Sequence, residues 1–192
     1  MLLIKQAKHL YLGDDTLEVQ LKHNVFAIDA TTIDLCLSIF YWAPFRSIKG
    51  GIKLHTQLDL KTSIPEFILF SSASVHDVNV LDVISFKANS FYIMDRGYVD
   101  YKRLYNIHKR NAFFVTRAKD NMNCRRLYSH PVDKTKGIIY DQTIMLNGYY
   151  AAKDYPEKMR RIKFYDQETG KVLIFLTNNF HLTATEIGRA HV

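Results

Sequence analysis

A chain of 192 residues has room for one domain with a proper core, or a domain plus a modest insertion, but not for two full domains. Hydrophobic residues at 47% and charged residues at 23%, with only 8 Gly and 4 Pro, exclude a disordered or low-complexity chain. The 26 Lys and Arg against 19 Asp and Glu give +7, which favours a polyanionic partner and leaves ribosome, nucleic acid and anionic membrane surface open.

The excess is one-sided: residues 1–96 hold 9 basic and 10 acidic side chains, net −1, while residues 97–192 hold 17 and 9, net +8. Basic clusters at Lys102-Arg103, Lys109-Arg110, Arg117-Lys119, Arg125-Arg126 and Lys158 to Lys163 interleave with Tyr101, Phe113, Tyr128 and Phe164. Such mixtures suit a phosphate backbone with distorted bases, and equally a solvated basic face over aromatic core residues. There is no apolar run long enough to span a bilayer, and MLLIKQAKHL is interrupted by Lys5 and Lys8 with no cleavage site after it, so no membrane or secretory role is expected. Cys36 and Cys124 lie in no metal-ligand spacing and read as reduced thiols of a cytoplasmic protein.

Residues 1–24 are weakly patterned, with a short helix ending near Gly13 as the one local signal. Val25 to Ile28 is an apolar run closed by Asp29 and continued by Thr31 to Leu37, as in a strand buried on both faces. Arg46 to Gly51 reads as a loop. Ile52 to Leu60 alternates, with Ile52, Leu54, Thr56, Leu58 and Leu60 on one face and Lys53, His55, Gln57 and Asp59 on the other. Ile64 to Ser71 is a third strand, His76 to Ser85 a helix with Asp77 in its first turn, and Ser90 to Met94 a strand stopped by Asp95. Tyr101 to Arg110 predicts a helix and Ala112 to Thr116 a fifth strand, which makes an α/β pattern with a mixed sheet.

Beyond Arg117 the pattern turns to short strand-like pieces. Ile138 to Leu146 alternates, and Arg160 to Tyr165 and Lys171 to Leu176 flank the turn Asp166 to Gly170, together a strand-rich insertion of about 60 residues. Thr183 and Glu186 carry the spacing of a capping box at the start of a helix.

Asp29 and Asp95 share one setting, a carboxylate at the end of an apolar strand. Strand ends of an open α/β sheet converge on a crevice, where two carboxylates can hold a pair of divalent ions for phosphoryl transfer. Asp is also an ordinary turn residue at strand ends. Oxygen ligands would select Mg²⁺ or Mn²⁺, since there is no Cys/His set for zinc.

The segment from Ala27 to Asp59, then His76-Asp77-Val-Asn-Val, then Tyr92-Ile-Met-Asp95-Arg-Gly-Tyr98 and Phe113 to Met122 closely resembles the catalytic domain of bacterial insertion-sequence transposases of the DDE class. The nearest group carries a Tyr-Arg-Glu-Lys signature and a strand-rich insertion, and the resemblance spans roughly residues 24–187 in motif order. It implies a ribonuclease-H-like fold with sheet order 3-2-1-4-5, in which the strands of Asp29 and Asp95 are neighbours. It implies that Asp29 and Asp95 are the first two catalytic acids and ligands of two Mg²⁺ or Mn²⁺ ions. Lys53, His55, Arg117, Lys119 and Asn121 fall in its motifs, as DNA contacts or as support of the sheet edge; Arg96, Arg125 and Arg126 complete the expected DNA-binding set. His76 and Asp77 also match, and are read as a helix-capping pair.

On this resemblance the domains are the end of an N-terminal region (1–24), a ribonuclease-H-like core (25–118), a β-rich insertion (119–179) and the start of the catalytic helix (180–187). Residues 188–192 abandon the family pattern and are read as sequencing-adapter read-through. The third acid of the family, on a helix after the insertion, has no match; Glu186 is read as a capping residue, and Glu157 and Glu168 have no motif support. The implied activity is cleavage of double-stranded DNA at transposon ends and joining of the 3′ hydroxyl to target DNA, in some members through a hairpin end. The intact protein is expected to act as a homodimer in the bacterial cytoplasm, associated with the nucleoid, and the chain alone to be inactive. A non-catalytic DNA-binding remnant and another ribonuclease-H-like nuclease are the alternatives.

Overall fold

The apolar run at Val25 opens strand β1 (Val25–Leu35), which pairs antiparallel with β3 (Lys49–Asp59) from Phe26 opposite Asp59 to Leu35 opposite Gly50. The computed structural model describes residues 23–36, 44–46 and 49–189, and the chain divides into two units, Met1–Ser85 and Phe86–Val192. The helix expected near Gly13 lies outside the described residues.

In the first unit β3 is central. β2 (Pro44–Arg46) joins the start of β3, and β4 (Ile64–Ser72) pairs along it antiparallel, with a register shift between Gln57 and Leu58. The first three expected strands therefore lie in the order 3-2-1 that the resemblance implies. Three expectations change. The loop expected at 46–51 is shorter, because Gly50 and Gly51 already belong to β3, opposite Leu35 and Asp34. β1 is not buried throughout: Val25 to Ile28 are covered, while Asp29 and Thr31 to Asp34 are exposed. The helix expected at 76–85 is a short 3-10 segment, Asp77–Asp82, with His76 at its N-cap but no side-chain capping bond. Its backbone closes mainly three-residue turns, Asn79 N to His76 O and Val83 N to Val80 O, as expected of a segment too short to sustain α-helix nucleation.

The alternation along β3 is as expected, but its polar face is the covered one: His55, Gln57 and Asp59 are buried, whereas Ile52, Leu54 and Leu58 are half-buried. Burying polar groups is tolerable where they find partners. His55 Nε2 lies 2.8 Å from Ser71 Oγ, and Asp59 Oδ1 accepts from Lys61 N at 3.0 Å.

The second unit opens with β5 (Phe91–Met94), all four residues buried, parallel to β6 (Phe113–Arg117). Helix α1 (Tyr101–Lys109) is the crossover. Asp100 caps it by accepting from Arg103 N at 3.0 Å, and Leu104 and Ile107, three apart, form its buried stripe. β10 (Lys171–Thr177) pairs antiparallel with β6, and β9 (Met159–Asp166), β8 (Ile138–Leu146) and β7 (Cys124–His130) follow in turn. The sheet is mixed and the class α/β, as the residue pattern predicts. The strand-rich region is thus hydrogen-bonded directly to β6, and Asn178 extends the join: its Oδ1 accepts from Phe114 N and its Nδ2 donates to Ala112 O, both at 2.9 Å.

Helix α2 (Tyr149–Asp154) interrupts the β8–β9 connection, and helix α3 (Ala184–Gly188) follows β10. The capping box predicted for α3 is present in full: Thr183 Oγ1 accepts from Glu186 N at 3.2 Å, and Glu186 Oε2 accepts from Thr183 N at 2.7 Å. Just before it, the Leu182 carbonyl accepts from Arg160 Nη1, and the same guanidinium grips Asp141 through Nε to Oδ1 at 2.9 Å and Nη2 to Oδ2 at 2.6 Å. Both side chains of this ion pair are buried. Among the described residues no helix is long and apolar enough to cross a membrane.

Candidate functional site

The residues singled out by sequence are divided between the units: Asp29, Lys53 and His55 in the first, and Asp95, Arg96, Arg117, Lys119, Asn121, Arg125 and Arg126 in the second. Asp29 is not at a strand end. It is the fifth residue of β1, at the step where burial gives way to exposure, and lies opposite Thr56. Residues directly opposite in an antiparallel pair share a face, so Asp29 stands with Thr56, while Lys53 and His55, opposite Thr32 and Ala30, stand on the other face.

Lys53 and His55 are tied into the first unit. Lys53 Nζ donates to the Val75 carbonyl at 2.7 Å and pairs with Asp77 Oδ1 at 2.8 Å. His55 is 1% exposed, and its Nδ1 has no hydrogen-bond partner among the described residues. Burial pulls its pKa below the ordinary 6.5; Asp77 opposes the shift and Lys53 adds to it. Burial thus favours the neutral imidazole.

In the second unit Asp95 follows the last residue of β5 and is exposed. Met94 is opposite Thr116 in the parallel pair, so Asp95 and Arg117 take matching positions one residue further on. Arg117 Nε lies 3.2 Å from Asp95 Oδ1, and Thr116 Oγ1 donates to the Asp95 carbonyl at 3.1 Å. The carboxylate is held from one side at a single oxygen. Arg96 Nη1 pairs with Asp120 Oδ2 at 3.2 Å, and Lys119 Nζ donates to the Val99 carbonyl at 2.8 Å. Asn121 is exposed on the segment between β6 and β7. Arg125 and Arg126 are exposed neighbours on β7, opposite Met145 and Ile144, and therefore point to opposite faces of the sheet.

A groove of about 540 Å³ gathers Arg96, Arg117 and Lys119 with Arg161 and Lys171, over Val172, Leu173 and Ile174. Arg161 and Lys171 are missing from the set drawn from sequence. Lys171 starts β10, whose Leu176 lies opposite Arg161 of β9; the hairpin turn was legible, but that both side chains line this groove was not.

Among the described residues no three His, Cys, Asp or Glu side chains gather as a metal cage. Asp29 and Asp95 each present exposed carboxylate oxygens, hard donors of the kind that Mg²⁺ and Mn²⁺ take alongside retained waters. That donor chemistry fits those ions.

Comparison with known proteins gives a consistent picture. The family model described as transposase DDE domain matches residues 20–191. A protein named "Putative transposase y4zB" from Sinorhizobium fredii (strain NBRC 101917 / NGR234) is 29% identical over 156 residues, covering 79% of this chain and 43% of that protein. A second, named "Probable transposase for insertion sequence element IS5377" from Geobacillus stearothermophilus, is 24% identical over 161 residues, covering 83% of this chain and 42% of that protein. The matched stretch thus spans less than half the length of either relative.

Proposed function

As the chain belongs to the transposase DDE domain family, we propose that it is the catalytic-domain portion of an insertion-sequence transposase, which cuts double-stranded DNA at element ends and joins the freed 3′ hydroxyl to a target. The α/β architecture with its mixed sheet is that of the ribonuclease-H-like fold of this family. In this reading residues 25–118 are the catalytic core and 119–179 the insertion, and the intact protein works as a dimer on the bacterial nucleoid.

The observation that carries the reading is Asp95, exposed at the carboxyl end of a buried strand, with Arg117 at the matching position of the next parallel strand. Asp29 and Asp95 would hold two Mg²⁺ or Mn²⁺ ions, which when bound supply charge stabilisation to the attacking and leaving oxygens of an in-line displacement at phosphorus. Arg117 holds one oxygen of Asp95 and leaves the other open. Arg96, Arg117 and Lys119, with Asn121, Arg125 and Arg126 further along the chain, would position phosphates, and such contacts set register and affinity without reading sequence. Lys53 and His55 serve the reading better as braces of the first unit, since the lysine is bonded to Val75 and Asp77 and the histidine is buried. The 192 residues contain no Tyr-Arg-Glu-Lys motif, so the chain by itself is expected to show little strand transfer.

The test is Asp95→Asn in the intact protein, assayed for Mg²⁺-dependent cleavage of its own end DNA and for binding of that DNA. Loss of cleavage with binding retained is the expected result. Undiminished cleavage by the variant would overturn the assignment.

A further inference from the structure

Two of the five cations around the groove of the second unit come from strands β9 and β10: Arg161, within the basic cluster Lys158 to Lys163, and Lys171, which no motif singles out. The acid among the lining residues is Asp120, which is paired with Arg96 and almost fully exposed. The walls beneath are apolar, Ala118 and Met122 from one side and Val172 to Ile174 from the other. Low-dielectric walls under a predominantly basic rim concentrate the field in the cleft. At about 540 Å³ the groove is too large for one inorganic anion and suits a stretch of extended polyanion.

Arg161 is set in place by the protein itself. Its Nη2 donates to Gln142 Oε1 at 2.7 Å, its Nη1 lies 3.4 Å from Cys124 Sγ, and its guanidinium lies over the Tyr140 ring, 5.2 Å from the centroid. None of these partners is a carboxylate, so its charge is not cancelled locally. Its Nε is buried with no hydrogen-bond partner among the described residues, and an unmade buried hydrogen bond is costly. A guanidinium fixed in this way loses little freedom when it binds an anionic oxygen. Lys171 is exposed at the first position of β10.

We propose that Arg161 and Lys171 bind the phosphodiester backbone of DNA, extending toward the β9–β10 hairpin the phosphate track that Arg96 and Arg117 begin beside Asp95. The inference rests on the reading of DNA as partner and adds which residues of the strand-rich region touch it. Each phosphate neutralised by a cation releases about one counterion, so the slope of log affinity against log salt counts the contacts.

The experiment is fluorescence anisotropy of a labelled DNA duplex titrated with the 192-residue chain between about 50 and 200 mM salt. Lys171→Ala and Arg161→Gln should each reduce the slope by about 1, and Lys171→Arg should restore it. Lys109→Ala, at the end of α1 and outside the groove, should leave the slope unchanged. Wild-type binding with a steep slope that Lys171→Ala does not alter would overturn the assignment while leaving DNA as partner intact. An equal fall for Lys109→Ala would also overturn it, since net charge alone would then explain the effect. A wild-type chain that does not bind duplex DNA would overturn the reading of DNA as partner, and binding with no salt dependence would overturn the phosphate contacts alone. If Arg161→Gln unfolds in a urea melt, the exposed Lys171 decides the matter by itself.

Discussion

Arg117 Nε lies 3.2 Å from Asp95 Oδ1, an ion pair between matching positions at the carboxyl ends of two adjacent parallel strands. Both side chains are substantially exposed, 42% and 55%. An exposed pair of this kind contributes about 0–1 kcal/mol to stability, so its place beside a proposed catalytic carboxylate matters more than its energy. Arg117→Ala should leave the urea midpoint of the chain almost unchanged and weaken duplex DNA binding, with a salt slope lower by about 1. A variant that melts much earlier, with DNA affinity intact, would make Arg117 a structural residue.

The buried pair Arg160–Asp141 behaves differently. Two bonds of 2.9 and 2.6 Å join the side chains in a setting with almost no solvent, and removing one partner strands the other charge. Asp141→Ala should cost about 3–5 kcal/mol in urea unfolding, whereas the double replacement Asp141→Leu with Arg160→Met should recover most of it. The Leu182 carbonyl, which also accepts from Arg160, loses that donor in the double variant. Amide exchange at α3 should therefore quicken even in the double variant, and protection equal to wild type would show that α3 holds its start without the guanidinium.

Gly137 ends the 3-10 turn before β8 with φ +79°, a conformation open to glycine. A Cβ there would sit 2.5 Å from the Tyr165 carbonyl oxygen, which is backbone and has little room to yield. Gly137→Ala should destabilise the chain by about 1–3 kcal/mol from backbone strain alone, with the collision added. The tyrosine amide that donates to the Gly137 carbonyl at 2.7 Å should lose hydrogen-exchange protection first.

The depressed pKa of His55 gives stability a direction with pH. The unfolded chain takes up a proton at this residue near the ordinary 6.5, while burial lowers that pKa in the folded chain. The unfolded state then binds more protons, so the contribution is present above about 6.5 and declines as the pH falls below it. His55→Gln should flatten the fall in urea stability between about pH 7 and 5. An identical pH profile for the variant would place the titration elsewhere.

Local rules carried the sequence reading a long way where a residue's own chemistry decides its conformation. Thr183 and Glu186 announce a capping box, Asp166 to Gly170 a hairpin turn, and Val25 to Ile28 a buried strand, and each is found. What the chain does not announce is which face of a strand is covered. The alternation of β3 correctly separates His55 and Gln57 from Leu54 and Leu58, yet the polar set is the buried one, because partners such as Ser71 come from a neighbouring strand. The same limit kept Arg161, though within the basic cluster Lys158 to Lys163, and Lys171 out of the expected set: they line one groove with Arg117 only because β10 pairs with both β6 and β9, and strand pairing between distant segments leaves no mark at any single position.

Strands β7 and β4 each end the run of pairing in their own unit, and they treat that exposed backbone oppositely. β7 carries Arg125 and Arg126 in the open, charges that deter another chain from adding itself as a further strand. β4 has Ile68, Leu69 and Phe70 exposed, with no charged residue from Phe67 to Ser74. Solubility is therefore unevenly protected: β4 is the natural seed for edge-to-edge self-association, and neutralising both arginines, beside the exposed Leu127 and Tyr128, would open a second one.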